Sequence, residues 1–369
     1  MKDYIVTEIH RGEAVFTAAA FYEDKTLSRL EIQRKEEPSR VGMIINGVAE
    51  KLLPNIDGAF VKISDKDQAF LPTGGEKISG SAKFPVLITK ESHDRKQCTC
   101  TRAIALSGRT CVVTCGKSGL LFSRKLTGAE KAALKAGLAP ELYKDFQVLI
   151  RTNAKEEDIS LVIEEIRALE EELKAILAVS KKEHGCAVLY RPPVFYERLL
   201  RDLPSVPDRI RSDIPLIAQR LGGELYTDPV LSLGDLKSLN SEIDKLLGRK
   251  INLKSGAFLV IEQTEAFVSI DVNTGKCRKG KDAEATYFAI NKEALPEIMR
   301  QLTLRNLSGM ILVDLISLRD RETEKLLLEE ARKAALADPL HTEVIDITPL
   351  GILELVRQKK EKPLGEILK

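Results

Sequence analysis

Two aspartates, Asp271 and Asp314, each stand at the end of a short and strongly apolar run of residues. Asp271 follows the run that begins at Phe267, and Asp314 ends the run Gly-Met-Ile-Leu-Val-Asp that begins at Gly309. Such runs predict buried strands, and a carboxylate at the end of a buried strand loses hydration unless a cation compensates its charge. A single Asp at such a position more often caps a turn. Two of them together predict a Mg²⁺ site for phosphoryl chemistry, because Mg²⁺ is commonly held by carboxylates, water and phosphate oxygens.

A basic loop follows the first aspartate directly. It spans residues 275–281 and carries four Lys or Arg side chains, among them Lys276 and Arg278. Positive side chains beside a metal site suit a polyanion such as a nucleic-acid backbone, but a solvated surface loop has the same composition. The position of the loop directly after Asp271 favours phosphate contact.

Longer motifs around these residues resemble the catalytic core of the RNase E/G family of endoribonucleases. The resemblance rests on three segments, residues 253–266, 270–275 and 300–314, and weaker similarity extends from about residue 41 to residue 358. It implies that Asp271 and Asp314 are metal ligands and that Asn273 orients the first carboxylate. It also implies Mg²⁺-dependent hydrolysis of single-stranded RNA, in mRNA decay or rRNA processing, that leaves a 5′-phosphate and a 3′-hydroxyl.

One position departs from the family pattern. The family usually has a further Asp three residues after the second ligand, and this chain has Ser317 there. The change lowers the negative charge around the metal. The main alternative is therefore a non-catalytic relative that keeps the RNA-binding surface and has lost turnover. A DNA nuclease on the same core is a weaker alternative, because it leaves the barrel and sensor features below unexplained.

Residues 37–110 predict a small β-barrel of the OB type, because five short strand-like runs are separated by Pro, Gly and Asp turns. Strand alternation leaves Phe60 and Phe70 opposite the apolar residues of their strands. Outward aromatic rings can stack on bases, or they can pack beneath a loop. The resemblance favours stacking, because both positions match the RNA-stacking aromatics of the family. It adds Lys96 as a further RNA contact.

Residues 111–200 mix strands with a long charged helix, since the apolar residues between Glu156 and Lys181 have helical spacing. The resemblance implies a 5′-sensor pocket here, in which Arg151 and Thr152, with Arg124 nearby, grip a 5′-monophosphate. A guanidinium fork beside a hydroxyl matches the shape and charge of a terminal phosphate. For Arg151 considered alone, a surface ion pair is the simpler interpretation.

These features together predict an α/β multidomain fold. An OB-fold barrel is inserted in an RNase H-like subdomain and is followed by the 5′-sensor region and a DNase I-like α/β catalytic subdomain. We expect the RNase H-like subdomain in two parts, residues 1–36 and 201–247, and the catalytic subdomain at residues 248–369. The first strands are too few to close a core alone, so they must pair with a later segment. Pro296 should kink or restart the helix predicted at residues 283–302.

Composition narrows the classes of function. The chain has 57 basic and 55 acidic residues, a net charge of +2, so a nucleic acid must bind a local basic patch rather than an overall field. No apolar stretch has the length of a signal peptide core or a membrane span. We therefore expect a cytoplasmic protein.

The six cysteines of the 369-residue chain fit a reducing compartment. Cys98, Cys100, Cys111 and Cys115 share strand parity with apolar residues, which favours core thiols over a zinc site. The family often continues into a Cys-Pro-x-Cys segment that shares zinc between subunits, and this sequence contains no such segment. We expect any homodimer to form without shared zinc.

Overall fold

The computed structural model describes residues 1–35, 39–76, 78–91, 97–183, 185–275 and 282–369. The chain divides into two compact units, one from residues 1–37 and 207–369 and the other from residues 38–206. Elements are numbered along the chain. The strands are β1 (Lys2–Arg11), β2 (Ala14–Glu23), β3 (Thr26–Arg34), β4 (Ile44–Leu53), β5 (Gly58–Lys62), β6 (Gln68–Pro72), β7 (Lys83–Lys90), β8 (Cys98–Thr101), β9 (Ala105–Ser107), β10 (Cys111–Thr114), β11 (Gly119–Phe122), β12 (Gln147–Ile150), β13 (Ala187–Tyr190), β14 (Arg209–Ser212), β15 (Glu224–Leu225), β16 (Lys250–Asn252), β17 (Phe258–Gln263), β18 (Val268–Asn273), β19 (Gly309–Asp314), β20 (Thr342–Ile347) and β21 (Ile352–Arg357). The helices are α1 (Gly128–Ala136), α2 (Ile159–Lys182), α3 (Phe195–Asp202), α4 (Pro215–Leu221), α5 (Leu233–Leu236), α6 (Leu239–Leu247), α7 (Ala283–Leu304), α8 (Arg321–Ala335) and α9 (Leu364–Ile367).

The first unit contains two sheets, and the first of these joins segments that are distant in sequence. Its strand order is β15-β14-β1-β2-β3, and β1 pairs with β14 in parallel. The prediction that the N-terminal strands pair with a later segment is confirmed. Apolar residues of these strands share a buried core with α5 and α6, which includes Ile5, Phe16 and Leu239.

The second sheet of this unit has the order β16-β17-β18-β19-β21-β20. Alternate residues of its strands, such as Ile270 and Val313, form a core with Ile298 of α7 and Leu327 of α8. The residues between them lie on the opposite face and are exposed or half-buried. Strands β18 and β19 are parallel neighbours, and α7 supplies the crossover that parallel strands need.

The sequence predicts that Pro296 kinks or restarts its helix. Helix α7 continues through Pro296 as a single helix, so the prediction of a restart is wrong. Leu295, Ile298 and Met299 are each at most 3% exposed. Packing of these side chains on the sheet compensates for the backbone hydrogen bond that proline removes.

The second unit is built on a closed barrel of five strands, β4-β5-β6-β8-β7, in which β7 pairs back to β4. The predicted small barrel is confirmed. Its inward side chains include Val61 and Leu71, which are 0% and 1% exposed. Cys98 and Cys100 are 2% and 1% exposed, so the barrel thiols are core residues, as predicted.

A second sheet of this unit has the order β11-β12-β10-β9 and packs against α2. Val162, Ile166 and Leu173 of that helix are buried in a core with Cys111, which confirms the predicted apolar stripe, whereas Cys115 is only half-buried. In the part of the chain that the structure describes, no helix combines the length and apolar character that crossing a membrane requires.

Candidate functional site

Asp271 and Asp314 occupy directly paired positions on β18 and β19. Neighbouring strands lie about 4.8 Å apart, so the structure brings the two residues together as predicted. Both residues are exposed, and the premise that they are buried strand-end carboxylates is wrong. The reason is that α7 and α8 cover only the opposite face of the sheet.

Within the described residues, little compensates the charges of this pair. Asn273 Nδ2 donates a hydrogen bond to Asp271 Oδ2 at 2.6 Å, and among the described residues neither aspartate forms an ion pair. Like charges at directly paired positions destabilise a sheet, and a divalent cation shared by both carboxylates would relieve the repulsion. The hard oxygen donors fit Mg²⁺.

The described residues contain no group of three or more His, Cys, Asp or Glu side chains arranged to hold a metal ion. A cation between Asp271 and Asp314 would therefore take its remaining ligands from water and phosphate oxygens. Such sparse protein coordination is usual for Mg²⁺, which keeps several waters.

Helix α7 holds the loop that follows β19. Asn291 is 0% exposed; its Nδ2 donates to Ile316 O at 2.8 Å, and its Oδ1 accepts from Ile316 N at 3.0 Å. Glu284 Oε1 accepts from the backbone nitrogens of Arg319 at 2.7 Å and Asp320 at 3.1 Å. This anchor was not predicted from the sequence, although a polar residue in the middle of an apolar helix face indicates a buried hydrogen-bonding role.

The turn after β18 requires glycine. Gly275 has a φ of +54°, and a Cβ there would lie 2.4 Å from Gly256 O. Only glycine adopts this conformation without strain. Lys276 and Arg278, which follow in sequence, lie outside the described residues, so their contact with phosphate stays a prediction.

Phe60 and Phe70 are cross-strand partners on the outer face of β5 and β6. Their rings form an edge-to-face pair with centroids 6.1 Å apart and an interplanar angle of 69°. Both residues are half-buried rather than fully outward. The ring of Phe70 lies against Gly58, where a Cβ would come within 2.4 Å of a ring carbon. Lys96, the third residue predicted for this surface, lies outside the described residues.

Arg151 directly follows β12, and its Nη1 donates to Gly108 O at 2.5 Å and to Asp202 Oδ1 at 2.8 Å. The hydroxyls of Thr152 and Ser123 are 3.0 Å apart. Among the described residues, Nε and Nη2 of Arg151 have no hydrogen-bond partner. That edge of the guanidinium can bind two oxygens of one phosphate.

Asp202 is the ion-pair partner of Arg151, and it was not predicted from the sequence. Burial alone would raise the pKa of Asp202, but hydrogen bonds from Arg201 and the charges of Arg151 and Arg201 lower the pKa overall. The carboxylate is therefore ionised at neutral pH. The ion pair considered as the simpler interpretation for Arg151 is present, and it uses only one side of the guanidinium. Arg124 is exposed.

The chain is similar in sequence to proteins of one known family. The sequence model of the Ribonuclease E/G family matches residues 105–360. Ribonuclease E of Nostoc sp. is 29% identical over 401 residues, which cover 99% of this chain and 57% of the relative. Ribonuclease G of Salmonella typhimurium is 27% identical over 394 residues, and that of Haemophilus influenzae is 28% identical over 391 residues; each alignment covers 95% of this chain and 79% of the relative. The chain thus spans less than two thirds of the Nostoc relative.

Proposed function

Since this chain belongs to the Ribonuclease E/G family, we propose that it is an endoribonuclease that cleaves single-stranded RNA and depends on a divalent cation, Mg²⁺ by preference. The observation that carries the proposal is the pair Asp271 and Asp314, two exposed carboxylates at paired positions of parallel strands. Among the described residues neither carboxylate has a cationic partner, and like charges at paired positions cost stability unless a cation binds them.

The side chains around the pair have distinct roles in this proposal. Asp271 and Asp314 hold the cation, and Asn273 orients the carboxylate of Asp271 through its 2.6 Å hydrogen bond. When bound, the cation supplies Lewis acidity toward water and the scissile phosphate. Asn291 and Glu284 fix the loop after Asp314 and so limit the motion of that ligand. The products would carry 5′-phosphate and 3′-hydroxyl ends.

We also propose a division of the chain into subdomains. We assign residues 1–36 and 201–247 to an RNase H-like subdomain, residues 37–110 to the OB-fold domain, residues 111–200 to the 5′-sensor region and residues 248–369 to a DNase I-like catalytic subdomain. The sheet that joins β1 to β14 and the closed barrel support the first two assignments. The cellular role would be mRNA decay or rRNA processing.

Incubation with a 5′-monophosphorylated, A/U-rich single-stranded RNA tests the activity. With Mg²⁺ we expect internal cleavage with 5′-phosphate and 3′-hydroxyl product ends by mass spectrometry, and with EDTA we expect none. RNA binding without cleavage under both conditions would instead favour the non-catalytic relative, for which Ser317 is the specific sequence feature.

We predict that Phe60→Ala or Phe70→Ala weakens binding of single-stranded RNA by about 1–3 kcal/mol, the contribution of one base stack. Because the two rings contact each other, the double variant should lose less than the sum. Fluorescence anisotropy in EDTA measures the affinities. Val61→Ala on β5 is the matched control, since Val61 points into the barrel and should affect stability alone. Reduced stability with unchanged affinity in the Phe variants would contradict the stacking role.

A second prediction concerns the sensor. The protein should cleave a 5′-monophosphorylated RNA faster than the same RNA with a 5′-hydroxyl, and Arg151→Ala should remove the difference by slowing only the phosphorylated substrate. The effect should be mainly on KM, because uniform binding to a remote group leaves the chemical step unchanged. Initial rates on the two RNAs provide the measurement. Equal slowing of both substrates would show that Arg151 supports folding or general RNA binding.

A further inference from the structure

The barrel has a small cavity beside its phenylalanine pair. The cavity has a volume of about 180 Å³, and its lining includes Pro72, Thr101 and Arg102 at the ends of β6 and β8. We infer that this cavity receives the base adjacent to the one stacked on Phe70, with the guanidinium of Arg102 as its stacking surface. The inference rests on the proposed function and adds a base-binding subsite to it.

Strand register places the cavity next to Phe70 along the sheet. Strands β6 and β8 are parallel, with Phe70 opposite Thr99. Pro72 and Thr101 follow two residues later on the same outer face. A strand rises about 3.3 Å per residue, so the cavity lies roughly 7 Å further along both strands. This displacement is comparable to the reach of one extended nucleotide, so neighbouring bases can occupy the two positions.

Arg102 is held from two directions. Its Nη1 pairs with Glu76 Oε2 at 2.7 Å, and its guanidinium carbon lies 5.1 Å from the centroid of the Phe84 ring. Arg102 is also among the residues that line the cavity, whereas Phe84 is not. The side chain is 48% exposed. A planar guanidinium supported in this way is a surface on which bases stack.

Asp57 fixes the turn that carries Thr73 and Glu76, two further residues that line the cavity. Its Oδ1 accepts from Thr73 Oγ1 at 2.7 Å and from Gly75 N at 2.9 Å. The backbone nitrogen of Glu76 donates to Thr73 O at 3.0 Å. These hydrogen bonds shape the cavity before any ligand enters, so binding a base costs little additional ordering.

Binding of a short A/U-rich RNA to the full chain in EDTA tests the inference. Arg102→Ala should weaken binding by about fivefold or more, the effect of losing one stack. Arg102→Lys should weaken it similarly, because lysine keeps the charge and loses the planar surface. An abasic nucleotide scanned along the RNA should weaken wild-type binding at each position that stacks on the barrel. At one of these positions it should have no effect on Arg102→Ala. Lys181→Ala, an exposed charge at the end of α2, controls for loss of one positive charge.

The outcomes separate the subsite from the proposed function. Full affinity in Arg102→Lys would mean that Arg102 contacts phosphate, and it would overturn the base subsite. Unchanged binding in Arg102→Ala together with weakened binding in Phe70→Ala would also overturn the subsite and leave the RNA surface intact. Unchanged binding in both variants would reject the RNA surface of the barrel and the subsite with it.

Discussion

Asp271→Asn and Asp314→Asn should each abolish RNA cleavage, with a loss of about three orders of magnitude or more, because two carboxylates are the only protein ligands proposed for the cation. Both side chains are exposed, so neither change should disturb folding or RNA binding. Removing one of two adjacent like charges should even stabilise the protein slightly in the absence of metal. Single-turnover cleavage, RNA affinity in EDTA and thermal unfolding measure the three effects.

The same variants separate a lost metal site from general damage. Mg²⁺ should raise the unfolding temperature of the wild-type protein and not that of either variant, since a ligand that binds only the folded state stabilises it. Glu343→Gln, an exposed carboxylate on β20 of the same sheet, is the matched control and should keep full activity. Substantial cleavage by Asp271→Asn or Asp314→Asn would refute the proposed site.

Asp338→Ala should lower the free energy of unfolding by about 3–5 kcal/mol, because it leaves a buried arginine without a counterion. The side chains of Arg357 and Asp338 are 1% and 0% exposed. Arg357 Nε donates to Asp338 Oδ2 at 2.7 Å, and Nη2 donates to Oδ1 at 2.9 Å. Urea denaturation followed by circular dichroism measures the loss. Glu262→Ala breaks an exposed pair with Arg249 and should cost no more than about 1 kcal/mol; equal losses in the two variants would contradict the prediction.

This pair also makes stability depend on pH. Burial alone would raise the pKa of Asp338, but the hydrogen bonds and charge of Arg357 outweigh burial and lower the pKa in the folded state. Because the pKa of Asp338 is lowered in the folded state, its ionisation contributes stability that is complete above the unfolded-state pKa of about 4. This contribution to stability is lost as the pH falls through the folded-state pKa of Asp338. The difference in unfolding free energy between wild type and Asp338→Asn should therefore shrink below about pH 4, and a difference that grows there would be contrary to this account.

Local patterns in the chain were sufficient to predict several features that the structure has. Alternation in β5 and β6 predicted that Val61 and Leu71 point inward, and both are buried. Apolar spacing predicted α2, and the end of an apolar run predicted that Asp314 ends β19. The same reasoning placed Asp271 at a strand end, but β18 continues to Asn273. These features depend on neighbouring residues, because side-chain alternation and helical spacing are properties of a short segment. The roles of Phe60, Arg151 and Asn273 came from the family resemblance rather than from such patterns.

Contacts between distant segments account for what local patterns could not predict. The direct pairing of Asp271 with Asp314 depends on the register of two strands joined through α7, and their exposure depends on which face the helices cover. Packing keeps α7 continuous through Pro296, against its local preference. The contacts of Arg151 with Asp202 and of Arg102 with Glu76 likewise join residues far apart in sequence. Register and long-range packing are set by the sum of many tertiary contacts, so no short segment of this chain contains the information that specifies them.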